Sequence, residues 1–367
     1  MPDTDTVPDS NTVLEVDRSD FGATRLVDEP LEELADGQVR LRIDRFALTA
    51  NNITYAAVGD LLGYWDFFPA ADGWGRVPAM GWADVVESAH PDVPVGGRYY
   101  GWFPMARTMD LTVSATDNGI RDDGAHRQAH AAVYRSYTET AHDPWYQPGG
   151  DAEDRHALLR GLFLTGLLAD EFFADEDYFG ASSVVVLSAS SKTAIGFAQR
   201  AAERGLDAVV GLTSAANAPF VESLGFYDQV LTYDDLSGLA AAGDAVAIDM
   251  SGDGAVLARV HDHFGDRLRH SMVIGRSHHD APMVDITSGP TPALFFAPTE
   301  IDRRQAEWGA AEYRRRTTDA LFAFIDDSHR WLTVERSTGS AAADATYHAV
   351  YDGAVPPSIG RIVSVND

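Results

Sequence analysis

Ser188-Ala-Ser-Ser-Lys-Thr-Ala-Ile-Gly196 contains the only lysine of a 367-residue chain, whose positive charge otherwise comes from arginine. A lone ammonium kept at such a place points to a bound anion, a nucleotide phosphate first of all. Ser190, Ser191 and Thr193 around Lys192 are small and hydroxylated, so backbone can approach a ligand closely and offer N–H groups at a helix start. Three glycines would complete a dinucleotide fingerprint, but Ser188, Ser191 and Ala194 stand in their places. The plain alternative for Lys192 is a solvated lysine at a helix start. Tyr64-Trp65-Asp66-Phe67-Phe68, with Trp74 nearby, offers an apolar wall through Tyr64, Trp65 and Phe68. Such a wall suits a hydrophobic carbonyl or enone better than a sugar, and it could equally be core. His126 and His130 share a helical face at i, i+4, but with no HExxH pattern and no third ligand close by they make a poor metal clamp.

These groups need elements to hold them. Ser183 to Leu187 is a short β-branched run typical of a buried parallel strand. Ala194, Ala198, Ala201 and Ala202 then lie on one helical face. The same unit repeats with a strand Asp207–Thr213, a helix Ala216–Leu224 and a strand Gly225–Leu231. Strands alternating with helices predict right-handed βαβ units in a doubly wound parallel sheet. Earlier in the chain, Gln38–Phe46 alternates polar and apolar residues as a half-buried antiparallel strand does. Residues 77–101 are crowded with Pro and Gly between short β runs, which predicts a compact β domain. Residues 105–154 show little period and read as an insert. A helix follows over Arg155–Phe173. The chain closes with a helix near 303–327, a strand Leu332–Glu335, a helix Ala341–Tyr351 and a strand Arg361–Val365.

Composition narrows the partners. The formal net charge is −28, which repels nucleic acid and anionic membrane surfaces. An acidic surface of this kind suits a high-salt cytoplasm, although a GC-rich genome also favours arginine over lysine. The chain has no cysteine, so disulfides, thiol nucleophiles and cysteine-ligated zinc are excluded. No apolar run is long enough to span a membrane. Met1–Ser10 is acidic and polar, reads as a disordered leader and does not resemble a signal peptide. The expectation is a soluble cytoplasmic protein acting on a small molecule.

The order of motifs resembles the medium-chain dehydrogenase/reductase superfamily, in its zinc-free quinone-oxidoreductase-like branch, over most of the chain. The resemblance is carried by Asp36-Gly-Gln-Val-Arg-Leu-Arg-Ile43, Ala47–Gly59, Val77-Pro-Ala-Met-Gly-Trp-Ala-Asp-Val-Val-Glu87, Pro94-Val-Gly-Gly-Arg-Tyr-Tyr-Gly101, Ala218–Gly225, Val273-Ile-Gly275 and Gly360-Arg-Ile-Val363. The Ser-Ala-Ser-Ser-Lys-Thr-Ala turn is similar to the hallmark of a subgroup of unknown function, DUF2855. The resemblance implies an α/β protein with a GroES-like β-rich domain over 1–165 and 301–367, carrying the insert 105–154. It also implies a Rossmann-type dinucleotide domain over 166–300. Zinc-dependent members have a cysteine near Ala47 and a His-Glu pair near Trp82-Ala83; both are missing, and no zinc is expected.

The same resemblance assigns a catalytic cleft to Tyr55, Asn51 and Asn52, with the nicotinamide end of a cofactor near Gly275 and the pair His278-His279. A core aromatic and turn asparagines are the ordinary alternatives. At the end of the second strand, Gly211-Leu-Thr-Ser-Ala-Ala-Asn217 has no acid to hold ribose hydroxyls, so NADP is expected over NAD, with Thr213 and Ser214 as acceptors of its 2′-phosphate. The expected function is zinc-independent, NADP(H)-dependent reduction of a hydrophobic quinone, enone or carbonyl, in a homodimer. A carbon–carbon lyase on a β-hydroxy ketone, or a nucleotide-binding sensor, is the alternative on the same fold.

Overall fold

A computed structural model describes residues 10–239, 243–276, 278, 281 and 284–366. Two compact units are present: Met1–Leu158 with Thr333–Val355 and Ile359–Asp367, and Leu159–Leu332 with Pro356–Ser358. In chain order the first unit begins with β1 (Ser10–Asp17), β2 (Thr24–Pro30), β3 (Gln38–Leu48), α1 (Ala50–Ala57), α2 (Gly59–Leu62), β4 (Trp74–Gly75), β5 (Ala79–Ser88), β6 (Arg98–Phe103), β7 (Thr108–Thr116), β8 (Gly119–Asp122), α3 (Ala132–Arg135) and β9 (Ser136–Glu139). Helix α4 (Gly150–Asp175) gives its first turns to this unit and the rest to the second. The second unit continues with β10 (Ser183–Leu187), α5 (Lys192–Ala201), β11 (Ala208–Thr213), α6 (Ala218–Leu224), β12 (Gln229–Thr232), β13 (Ala245–Asp249), α7 (Gly254–Phe264), β14 (Leu268–Val273), β15 (Ala293–Leu294), α8 (Ala297–Trp308) and α9 (Ala310–Ser328). The chain then returns to the first unit with β16 (Thr333–Thr338), α10 (Ser340–Tyr351) and β17 (Ile359–Ser364).

In the first unit β3 is the organising strand. It pairs antiparallel with β5 along Val39–Phe46 and with β7 along Gln38–Arg42, so β3, β5, β6, β9, β8 and β7 close into a ring. The predicted alternation is realised: Val39, Leu41 and Ile43 are buried. Arg40, on the opposite face, is held by Asp110 and Glu87. Closing the ring removes exposed strand edges that would otherwise recruit other chains. The stretch 105–154, expected as an insert, supplies β7, β8, α3 and β9 to this ring. Its weak periodicity reflects strands of only four residues in β8 and β9, too short to display an alternation.

In the second unit six parallel strands run in the order β12-β11-β10-β13-β14-β15. This is the doubly wound order, in which the chain leaves β10 in one direction and resumes beside it at β13. Alternate residues of β10 serve opposite faces. Val184 and Val186 join Phe173, Ala194, Phe197 and Ala198 of α4 and α5, whereas Val185 and Leu187 join Val256, Leu257 and Val260 of α7. Each of these larger aliphatic side chains contributes roughly 1.5–3 kcal/mol through burial. Helices α4 and α5 touch closely because both contact points are glycine. A Cβ on Gly166 would lie 2.6 Å from the Thr193 carbonyl oxygen, and one on Gly196 would lie 3.0 Å from the Phe163 ring.

The helix predicted near 303–327 is two helices, α8 and α9, because Gly309 adopts φ 79°, ψ 150° and ends the first. The other predicted elements after residue 150 lie within a few residues of their observed bounds. Of the predicted leader, Ser10 begins β1 and the remainder lies outside the described residues.

Candidate functional site

The turn joining β10 to α5 lies at the carboxyl end of the central strand, beside the point where the strand order reverses. Open α/β sheets bind ligands at such points. Ser188 takes φ 58°, a left-handed value unusual outside glycine. It is held there by hydrogen bonds from its side chain and backbone to Tyr233. The Tyr227 hydroxyl donates to the Ala189 carbonyl at 2.9 Å and pins the next residue. Ser191 is the N-cap of α5, its Oγ accepting from the Ala194 N–H, and the same hydroxyl lies 3.8 Å from the Met250 sulfur. Ser190 Oγ meets the Thr213 hydroxyl at 3.4 Å and the Asn217 amide at 3.2 Å.

Lys192 and Thr193 form the first turn of α5. Lys192 is partly exposed as a residue, yet burial around its ammonium lowers its pKa from 10.5 to about 8. Gly275 packs against the Met250 carbonyl, where a Cβ would come within 3.1 Å. The structure therefore gathers Ser190, Ser191, Lys192, Thr193, Thr213 and Gly275 at the carboxyl end of one sheet. Ser214, just past β11, uses its carbonyl to accept the Asn217 and Ala218 N–H groups at the start of α6. The cluster Ser190–Thr213–Asn217 is neutral, and its hydroxyl and amide donors fit a phosphate. A nearby carboxylate, Asp249, is buried and already receives the Ser251 N–H (2.7 Å), Ser251 hydroxyl (2.6 Å) and Gly252 N–H (3.2 Å).

In the first unit the residues expected to do chemistry separate into two sets. Tyr55 belongs to an aromatic cluster with Tyr64, Trp102 and Tyr134. The Tyr55 and Tyr64 rings meet edge to face at 4.7 Å, and Trp102 and Tyr134 at 5.3 Å. Tyr64 and Tyr134 share a hydroxyl–hydroxyl hydrogen bond of 3.1 Å. Tyr55 oxygen receives the Trp102 indole N–H at 3.3 Å, which leaves its own proton to be donated. Burial pushes the hydroxyls of Tyr55, Tyr64 and Tyr134 above the ordinary tyrosine range. All three are therefore neutral donors at physiological pH. Each of the four aromatics keeps 5–9 % of its surface exposed, whereas neighbouring Trp82 and Phe103 keep none.

The second set is structural. Both ends of the Asn52 amide are occupied: its oxygen accepts the Thr49 N–H at 2.7 Å in a capping box, and its nitrogen donates to the Pro78 carbonyl at 2.9 Å. That removes it from the reacting groups. Trp65 fills the space left by two glycines, since a Cβ on Gly59 or Gly75 would come within 2.4 or 2.2 Å of its ring. It is core and not substrate wall. Phe68 is buried beside Phe67 and under the Arg127 guanidinium. His130 Nε2 is bonded to the Gly63 carbonyl at 2.9 Å while His126 is exposed, so the pair does not converge. His278 lies 3.7 Å from the Asp253 carboxylate and against the Tyr233 ring; His279 is outside the described residues. Among the described residues no group of three His, Cys, Asp or Glu could hold a metal ion, and no helix is long and apolar enough to cross a membrane.

Trp102 and Tyr134 were not visible as site residues in the sequence. Trp102 sits in a strand that reads as core, and Tyr134 in the aperiodic stretch 105–154. Asn217 and Tyr227 were likewise missed; their contacts with Ser190 and the Ala189 carbonyl form only when β11 and β10 lie side by side.

A family profile described as "Protein of unknown function (DUF2855)" matches residues 46–356. No curated protein matches the sequence. Among solved structures, CurA from Vibrio vulnificus in complex with NADPH aligns at TM-score 0.61 and 12 % identity, covering 94 % of each chain. Mycobacterial Rv1454c complexed with NADPH aligns at TM-score 0.59 and 14 % identity, covering 96 % of this chain and 99 % of the other. The yhdH oxidoreductase from Salmonella enterica in complex with NADP aligns at TM-score 0.52 and 16 % identity, covering 96 % and 99 %. At these identities the likeness is one of fold.

Proposed function

The chain belongs to the DUF2855 family and has the fold of the medium-chain dehydrogenase/reductase superfamily, and from that premise we propose that it is an NADP(H)-dependent oxidoreductase reducing an uncharged quinone, enone or carbonyl compound without zinc. The observation that carries the proposal is the Ser188–Thr193 turn, set at the reversal point of a parallel sheet with no acid in the residues that follow β11. N–H groups of the first turn of α5 and the Lys192 ammonium would receive the pyrophosphate. Ser190, Thr213 and Asn217 would receive the 2′-phosphate, which an aspartate at this place would repel. Gly275 would give close access to the nicotinamide half.

NADPH, when bound, supplies a hydride. The protein's part is to orient the acceptor and stabilise charge growing on its oxygen. Tyr55 suits this role: the Trp102 indole N–H fixes its oxygen, so its own proton can be donated to an oxyanion. Tyr64 and Tyr134 offer a second pair of neutral hydroxyls, and an all-neutral aromatic lining favours an uncharged, flat acceptor. A homodimer is the assembly proposed with this reading.

Calorimetric titration with NADPH and with NADH, at low and molar potassium chloride, tests the cofactor assignment, followed by an acceptor screen with quinones and enones. NADPH binding tighter than NADH, with acceptor-dependent oxidation, is expected. A folded protein that binds neither dinucleotide overturns the reading and favours non-redox chemistry on the same fold.

A further inference from the structure

We propose that Arg127 is a positioning residue, which locks the two segments carrying Tyr64 and Tyr134 so that their hydroxyls meet. The inference rests on the tyrosine cluster being the acceptor site. Arg127 is completely buried. Its Nε donates to Asp122 at 3.1 Å, and one of its terminal nitrogens donates to the Tyr134 carbonyl. The guanidinium lies over the Phe67 ring, 3.9 Å from the centroid. Phe67 in turn contacts Tyr64 at 5.4 Å and Tyr134 at 5.2 Å. One planar group therefore grips the Tyr134 backbone with its edge and the ring that touches both tyrosines with its face.

A second tie runs in parallel. His130 bonds the Gly63 carbonyl at 2.9 Å and packs on Phe67 at 4.6 Å. Residues 63–68 and 122–137 are thus joined twice around a single phenylalanine. Burying a guanidinium is costly, and a well-packed apolar side chain of similar volume commonly gives equal or better stability. Here the Nη1 nitrogen of Arg127 is buried with no hydrogen-bond partner among the described residues, which adds to the cost of keeping an arginine there. What an apolar side chain could not do is hold the Tyr134 carbonyl and stack on Phe67 at once. Lysine could not either, because a point charge lacks the planar fork.

Arg127→Lys keeps a charge opposite Asp122 and tests the geometry. With 1,4-naphthoquinone as acceptor, kcat/KM is expected to fall at least tenfold while NADPH affinity is unchanged. In a Tyr134→Phe background the same substitution is expected to cost less than threefold further, because both changes break one arrangement. Losses that multiply in full would overturn the positioning role. Should the wild-type protein turn over no quinone, the acceptor-site reading fails on its own, and tyrosinate absorbance during alkaline titration decides the remainder. Arg127→Lys is then expected to bring two tyrosines into the ordinary titration range, and not to do so when Tyr64→Phe and Tyr134→Phe are also present. A titration identical to wild type overturns the proposal. The pair Arg127→Met with Asp122→Asn, which leaves no uncompensated buried charge, repeats both measurements and is expected to give the same losses.

Discussion

The turn after β10 and the tyrosine cluster of the first unit are both candidate binding surfaces, yet they are assembled differently. The turn is local: Ser188 to Ala194 lie in one run, and Thr213, Asn217, Tyr227 and Tyr233 reach it from the segment of chain that follows. The cluster takes Tyr55 from a helix, Tyr64 from the turn after α2, Trp102 from β6 and Tyr134 from α3. A local turn works mainly through backbone, so its side chains can depart from glycine, provided something restrains the strained position. A cluster drawn from four places works through side chains, and each member depends on the packing of the others. Substitutions in the cluster should therefore act on turnover, and those in the turn on cofactor affinity.

The sharpest separation is expected from Tyr55→Phe. Loss of one donor to a developing oxyanion commonly costs about a hundredfold or more in kcat. A hundredfold loss with NADPH affinity unchanged supports the division; an equal loss in affinity breaks it. Next comes Lys192→Ala, which removes a charge-assisted phosphate contact and should weaken NADPH binding by about ten- to a hundredfold without changing kcat at saturation.

Lys192 also makes a pH prediction of two opposite signs. Its folded pKa of about 8 lies below the ordinary 10.5. Between those values the unfolded chain holds a proton that the folded chain has released, so this group makes stability rise with pH over that window and lowers it below pH 8. NADPH affinity should move the other way, falling as the ammonium deprotonates above pH 8. Melting temperature and calorimetric affinity, measured from pH 7 to 10 against Lys192→Met, check both slopes. Parallel slopes in the variant would show that Lys192 carries neither.

Smaller effects sharpen the account of the turn itself. Gly166→Ala places a methyl against the Thr193 carbonyl and the Phe197 N–H, and overpacking of this kind costs roughly 1–3 kcal/mol. Chemical denaturation should register that loss, with weaker NADPH binding if α5 carries the proposed phosphate turn. Ser188→Gly is expected to change stability by less than about 1 kcal/mol, since relief of the left-handed backbone is offset by losing the side-chain hydrogen bond to Tyr233. A gain well above that would show the hydrogen bond to be unimportant.

The first half of the parallel unit was legible because short apolar strands alternate there with helices, each announcing itself within a few residues. The ring of the first unit was only half legible. β3 alternates over enough residues to be read, whereas β8 and β9 are held by neighbours and not by their own pattern. For the same reason Trp65 and Phe68 looked like a wall: an aromatic run shows that something apolar is covered, but not whether the cover is protein or ligand.

Sequence by itself determined the alternation of strands and helices that makes a doubly wound sheet, the position of the Lys192 turn between a strand and a helix, and the absence of an acid just after β11. These are properties of contiguous residues and their periods. Tertiary structure alone decided that Tyr55 pairs with Trp102, that Tyr64 meets Tyr134, that Asn52 is spent on a capping box and that Arg127 lies buried over Phe67. Those relations depend on strand closure, which brings distant residues together at distances that no spacing along the chain encodes.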